Sequence, residues 1–418
     1  MAENSQQILR HLLESPYPIE NQRVETHSLA KHKIFDKLHD GYESCMNEAK
    51  IKELGSAPLL GVLRKIEELF PALRPHDDPQ LFPTLKSEGQ KGLSFQGENQ
   101  LSKTMAYLSS IGVSALVDFI VGVCHSKLIL LASFADWSQA DDKDPDSVIV
   151  MLAAPRQPGL PSKEYYKDVH TVVEYGKMIG QVLEALLSQA GPHSAGIQSL
   201  RDRFSTNSAE LVESLVLLES KLAKATPDAE DADDATKYYN PRSLNEVRGL
   251  LPQLSVSFVI ERLAPSGYSP EKLIVGSPSY LKRLSSVLQE TSVETLQAYF
   301  VWKTVQTYGY RIEDDVLKPL KRFNNELQGK DPESSEERWR TCIKFTDGGL
   351  GWILSKFFVE KAFSQEAKEF GDRIVSDIKA QFIKRLNDVD WMTKDVKDLG
   401  IEKVHNVRTP SWSLPSGH

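Results

Sequence analysis

The chain has 418 residues, of which 40% are hydrophobic and 26% charged, and a mean hydropathy of -0.35. Those are globular values, and they exclude wholesale disorder, collagen-like repeats and small disulfide scaffolds; at roughly 150 residues per domain the length implies two to three domains or one large lobed one. Fifty basic against 58 acidic residues leave a formal charge of -8, so no global charge draws the chain to nucleic acid or to an anionic membrane surface.

In chain order, the opening MAENSQQILRHLLES is polar and amphipathic, without the basic start, apolar run and small-residue cleavage site of a secretory signal. Pro and Gly cluster over 72–93 and imply no regular structure there. β-branched residues gather over 113–154 in LVDFIVGV, LILLASF and VIVMLAAP, with the turn-rich SQADDKDPD before the last run, which predicts a small β-hairpin element. The apolar stretch 111–137 is interrupted by Asp118, His125 and Lys127, so it falls short of the roughly 20 apolar residues that a membrane span needs.

Helical patterns dominate the rest. Asn207 with Glu210 forms a capping-box-like start for a helix over 208–224, whose Leu211, Leu215, Leu218 and Leu222 make one face. The acidic stretch 226–236 lacks aliphatic periodicity and reads as a solvated linker between sub-layers 1–225 and 237–408. A second amphipathic segment starts with Thr291 and Glu294 and presents Leu296, Tyr299, Phe300 and Trp302. A third carries Phe370, Ile374, Ile378, Phe382 and Leu386 at i+4 spacing, and each such stripe is expected to lie in a core. The last ten residues, TPSWSLPSGH, suggest no regular element. The whole is a mainly α, multi-helix chain.

No chemistry announces itself. The ten histidines include no HExxH helix, the pattern that places two imidazoles one turn apart beside a catalytic Glu. His27 and His32 read as surface residues, and His125 and His170 have no carboxylate or thiol partner nearby in sequence. Asp141, Asp142, Asp144 and Asp146 crowd one loop but lack the Gly and terminal Glu of an EF-hand, so they read as a solvated turn. Gly348, Gly349 and Gly351 lack the GK[ST] ending of a phosphate loop and read as a helix junction. No GxSxG, Cys/His nucleophile or kinase pattern occurs. Cys45, Cys124 and Cys342 include no CxxC pair; they permit one disulfide or three reduced thiols.

Six ordered blocks nevertheless resemble the N-terminal region of the neprilysin and endothelin-converting enzyme family of zinc metalloendopeptidases. They are FDKLHDGYESCMNEAKIKELGSAPLL at 35–60, the stretch from LVDFIVGV to GLPSKEYYKD at 116–168, YYNPRSLNEVRGLLP at 238–252, LQAYFVWKTV at 296–305, ERWRTCIKF at 337–345 and DVDWMTKDVKDLGIEKV at 388–404. The likeness runs over about residues 5–408, leaves 409–418 as a non-conforming tail, and implies a mainly helical lobe with a small β-hairpin element.

In that family such a lobe faces a catalytic lobe and filters peptides and small polypeptides by size. The resemblance also implies that Cys45 and Cys342, which match family cysteines, form a disulfide; Cys124 has no family partner. The family's asparagine-alanine-tyrosine segment, HExxH helix, third glutamate ligand and transition-state histidine are absent. The expectation is therefore a substrate-gating portion with no catalytic, cofactor-binding or metal residue of its own, zinc belonging to the parent family. The chain alone should neither bind zinc stoichiometrically nor cleave peptides.

Its partners would be peptide substrates reached through a missing catalytic domain, or a separate catalytic polypeptide. The alternative is a stand-alone peptide-binding or partner-binding module, and a third reading is an enzyme using unrecognised residues. A lobe without its partner should expose the apolar wall that faces the catalytic lobe. As written, with neither a signal, a membrane segment nor an Asn-x-Ser/Thr acceptor, the chain reads as cytoplasmic, although the family is extracellular or membrane-anchored.

Overall fold

A computed structural model describes residues 2–15, 26–71, 99–121, 140–141, 143–190 and 197–407. The segment LILLASF, residues His125, Cys124 and Asp142, the Pro/Gly-rich 72–93 and the tail 409–418 lie outside the described residues. The chain divides into two units, one made of residues 1–47 with 336–418 and the other of residues 48–335. The division therefore falls elsewhere than at the acidic stretch 226–236, which carries the short helices Ala229–Asp233 and Ala235–Tyr238 inside the second unit. Asp234 starts the latter by accepting the Thr236 amide at 2.9 Å. An acidic run that caps its own helix needs no linker role.

The second unit is built around the helix Val293–Tyr308, in which every residue from Thr295 to Val305 is buried. A helix apolar on all sides is packed on all sides, and its polar side chains must then find partners. The Gln297 amide donates to the Phe70 carbonyl at 2.6 Å, and the Tyr299 hydroxyl lies 2.9 Å from the Ala115 carbonyl. Its N-cap is Ser292, which accepts the Thr295 amide at 3.2 Å. Thr291, expected to open this helix, instead closes the preceding one, Pro278–Glu290, and donates to the Val287 carbonyl at 2.7 Å.

Around this helix lie Ala57–Leu69, Gln100–Ser110, Val169–Ser188 and Gln198–Ala225. The last begins nine residues before Asn207, whose φ of -148° and ψ of 45° break the helix. The Asn207 side chain bonds Glu210 across that break, so the capping pattern marks a kink instead of a start. Leu215, Leu218 and Leu222 are buried.

The β content is larger than one hairpin. Strand Asp118–Val121 pairs antiparallel with Val150–Ala153, in the register Phe119 to Leu152. Val150–Ala153 then runs parallel to Lys272–Val275, which pairs antiparallel with Pro241–Ser243. A parallel pair needs a long crossover, supplied here by the helices between residues 154 and 271. Ala140–Asp141 and Asp144–Val148 form a separate two-stranded ladder.

The GSAPLL turn at 55–60, inside the first of the six blocks, has a physical reading. Gly55 takes a φ of +50°, a conformation that favours glycine. It thereby brings the Ser56 amide within 3.2 Å of the Asp314 carboxylate, and Pro58 then sits in the first turn of Ala57–Leu69, where its missing N–H costs nothing.

In the first unit, helices Thr26–Met46 and Arg338–Ala362 enclose a small core of Leu12, Leu13, Phe35, Leu38, Tyr42, Trp339, Cys342, Ile343, Leu354 and Phe357. The rings of Phe35 and Phe357 meet edge to face at 5.1 Å, and a disulfide joins Cys45 to Cys342 with 5.6 Å between their Cα atoms. Gly348, Gly349 and Gly351 fall inside Arg338–Ala362, which bends at Leu350, consistent with a junction between two helical runs. Two further helices, Gln365–Asp388 and Lys394–Asn406, close the chain.

Candidate functional site

Among the described residues, the histidines and the crowded aspartates have local roles. His32 bonds Asp36 one turn on at 3.2 Å, and His170 is exposed. Asp141 is not part of a solvated turn: it is 2% exposed and accepts the Lys143 amide at 3.0 Å and the Lys272 ammonium at 3.4 Å, together with the Tyr239 hydroxyl at 2.5 Å. Burial pushes its pKa up, but those donors outweigh burial and hold the carboxyl below its ordinary value. Among the described residues no group of three or more His, Cys, Asp or Glu is arranged to hold a metal. No zinc step is assigned to the described residues.

Two other features stand out. The first is a buried polar centre in the second unit. Glu219, in mid-helix, is 0% exposed, and Gly159 lies against it so closely that a Cβ there would sit 2.1 Å from its Oε2. The Tyr166 hydroxyl accepts the Leu160 amide at 2.9 Å and donates to Glu219 Oε2 at 3.1 Å. The Tyr175 hydroxyl accepts from Trp302 Nε1 and Gln306 Nε2, both at 2.8 Å, and donates to Glu219 Oε1 at 3.3 Å. Lys303, also buried, donates to the Gln157 carbonyl at 2.7 Å. This is what the glycine-leucine-proline-x-x-x-tyrosine-tyrosine block builds: its glycine makes room for a carboxyl, and its last tyrosine binds that carboxyl.

Desolvation pushes Glu219 up to about 8 despite Lys303 and the two tyrosines. It pushes Lys303 down, against the pull of Glu219 and Asp118. Asp118 rises to about 6, again by burial. A raised carboxyl beside a lysine has the electronic character of a general acid. With Glu219 sealed from solvent, however, no substrate reaches it, and the group holds structure.

The second feature is apolar and exposed. The stripe Phe370, Ile374, Ile378 and Phe382 on Gln365–Asp388, expected in a core, is 58%, 43%, 61% and 54% exposed; only its last member, Leu386, is buried. Trp352 and Trp391 of the same unit are 88% and 77% exposed, and Val396 and Leu399 are also exposed. Periodicity makes this face apolar, and no element of the described chain buries it. Exposed tryptophan, phenylalanine and isoleucine in such numbers are uncommon on a free surface.

Comparison with known proteins gives a consistent result. Residues 1–410 match the model of the N-terminal domain of peptidase family M13. The chain is 23% identical over 388 residues to mouse membrane metallo-endopeptidase-like 1, covering 91% of this chain and 46% of that protein. It is 25% identical over 375 residues to human neprilysin, covering 87% and 44%. Among solved structures, the zinc metalloprotease Zmp1 of Mycobacterium tuberculosis superposes with a TM-score of 0.65 at 18% identity, over 95% of this chain and 52% of that one. PepO of Lactobacillus rhamnosis superposes with a TM-score of 0.64 at 16% identity, over 97% and 53%. The chain thus spans about half the length of the relatives it matches.

Proposed function

Because this chain belongs to peptidase family M13, we propose that it is the N-terminal, substrate-gating portion of a zinc metalloendopeptidase that acts on peptides and small polypeptides. The observation that carries the reading is the exposed stripe Phe370, Ile374, Ile378 and Phe382 with Trp352 and Trp391. Such apolar exposure supports a lobe that works against a second, catalytic lobe. The relatives are about twice as long as this chain, and the additional half is the natural place for the zinc, the general base and the substrate-aligning groups. In this reading the chain shapes access to the zinc and contributes no ligand to it.

The disulfide between Cys45 and Cys342 supports an oxidising compartment over the cytoplasm. Among the described residues no helix is long and apolar enough to cross a membrane.

The test is to measure zinc content and peptide hydrolysis for the chain alone and after mixing with the C-terminal half of an M13 peptidase. The expected result is no stoichiometric zinc and no hydrolysis alone, with a stable complex forming on mixing. Chelator-sensitive hydrolysis by the chain alone would overturn the reading. The second reading, a stand-alone peptide-binding module, requires a monodisperse chain that binds peptides unaided. The exposed wall favours the first.

A further inference from the structure

The exposed face of Gln365–Asp388 reads the same from either end. Phe370, Ile374, Ile378 and Phe382 follow at four-residue intervals in the order Phe, Ile, Ile, Phe, and all four are exposed. That order is symmetric about residue 376. Laid antiparallel against a copy of itself with 376 at the centre, the helix sets Phe370 opposite Phe382 and Ile374 opposite Ile378, each contact occurring twice. An interface in which one patch meets itself is what two-fold symmetry requires.

Size follows the same centre. Gln381 and Arg385 line a shallow depression together with Ile378 and Phe382. In the antiparallel pairing Gln381 meets Gly371 of the second copy and Arg385 meets Ala367, long side chains over small ones.

Charge follows it as well. Glu366, Arg373, Asp377 and Lys384 are spaced by seven, four and seven residues, which puts them on one side of the helix, and all are exposed. Arg373 lies 5.8 Å over the Phe370 ring, so this charged edge borders the apolar row. Antiparallel helices bring like edges together: Glu366 then faces Lys384 of the second copy, and Arg373 faces Asp377. Every charge of the edge meets its opposite. A parallel pair joins unlike edges and makes none of these contacts. The side away from the edge is taken up within the unit, where Leu386 is buried and Lys379 donates to the Val407 carbonyl at 2.5 Å.

We propose that this face closes on a second copy of the chain, in an antiparallel two-fold pair of the helices Gln365–Asp388. Burial of two phenylalanines and two isoleucines from each copy drives the pairing, and the charged edges fix its direction and register. The pairing follows from this helix alone and does not rest on the catalytic-lobe reading. A second copy and a catalytic lobe exclude one another on the same row, so self-pairing belongs to the chain while that lobe is absent.

The experiment is sedimentation equilibrium of the full chain, as wild type and as two edge variants. Glu366→Lys with Asp377→Arg makes the edge wholly basic, and Arg373→Glu with Lys384→Glu makes it wholly acidic. The wild type should be a reversible dimer at micromolar concentration. Either variant alone should pair at least about tenfold more weakly, because every edge contact becomes like-charged. The two variants mixed should regain wild-type pairing, since each edge then meets its opposite. A wild type that stays monomeric up to about 100 μM overturns the proposal, as does a dimer that both variants keep or a loss that mixing leaves unrestored.

Should a variant not fold, chains carrying Gly371→Cys and Gln381→Cys are mixed under oxidation and the cross-links located by mass spectrometry. Disulfides between residues 371 and 381 of different copies, in excess over 371 to 371 and 381 to 381, support the pairing. Equal yields of the three overturn it.

Discussion

Gly159→Ala places one methyl group against the buried centre, and the structure sets its cost. The new Cβ would lie 2.1 Å from Glu219 Oε2, 2.3 Å from its Cδ and 2.4 Å from the Tyr166 hydroxyl, all far inside van der Waals contact. Neither partner yields cheaply, because the carboxyl is fixed by Tyr166 and Tyr175 and Tyr166 also holds the Leu160 amide. Overpacking of this kind costs about 1–3 kcal/mol, and each buried hydrogen bond lost adds about 1 kcal/mol or more. Reduced freedom of the unfolded chain returns roughly 0.4–1 kcal/mol. The net expectation is a loss of about 2–4 kcal/mol.

Urea unfolding followed by circular dichroism and by the fluorescence of Trp302, which lies in the second unit, reads the loss. The decisive arm is a double-mutant cycle with Glu219→Ala, since removing the carboxyl vacates the space that the methyl needs. Gly159→Ala in that background should cost less than about 1 kcal/mol, giving a coupling of about 2 kcal/mol. Additive costs, or a single-variant loss within about 0.5 kcal/mol, would refute the contact as the reason for the glycine.

Replacing both Cys45 and Cys342 by Ala should destabilise the first unit by up to about 6 kcal/mol in the loop-entropy model for a separation of 297 residues. That is an upper bound, because the second unit, if left folded, already fixes its own ends; calorimetry should show one transition lowered and the other unmoved, and two lowered transitions would contradict the division into units. Ile374→Glu with Ile378→Lys, at positions 43% and 61% exposed, should change stability by no more than about 0.5 kcal/mol. It should also reduce self-association in sedimentation velocity, and an unchanged sedimentation profile in a self-associating protein would sink the docking role of that stripe. Asp118, raised by burial from 3.8 to about 6, contributes stability that is full below 3.8 and lost as pH rises through 6. Asp118→Asn should therefore remove a fall of roughly 1–3 kcal/mol across that interval, and denaturation curves at about pH 4 and about pH 7 with the same wild-type difference in both proteins would contradict it.

Much of the helical architecture was legible because periodicity reports which face of a helix is apolar. Periodicity places Leu215, Leu218 and Leu222 in a core and they lie there, as do Leu296, Tyr299, Phe300 and Trp302. The same periodicity held the signal for Glu219, which follows Leu215 by four residues and precedes Leu222 by three, and so sits on the buried stripe. A carboxylate in that position is a demand for partners, and its partners, Tyr166, Tyr175 and Lys303, lie too far off in sequence for any local pattern to reveal them. The strands Lys272–Val275 and Pro241–Ser243 are four and three residues long, too short to establish alternation, and their pairing depends on contacts made across the fold. The first unit draws on both ends of the chain, which no reading of linear composition detects; an acidic run offers a plausible boundary and carries two short helices, the second capped by Asp234.

Phe370, Ile374, Ile378 and Phe382 expose the limit of periodicity from the other side. Their spacing states that a face is built to be covered, and it is silent on whether the covering belongs to the same part of the chain. Glu219 and this stripe are two places where pattern and burial disagree, a charge inside and an apolar row outside, and such disagreements concentrate where a fold is doing something besides folding. On the reading proposed above, the apolar row of the first unit is the face that a second lobe would cover.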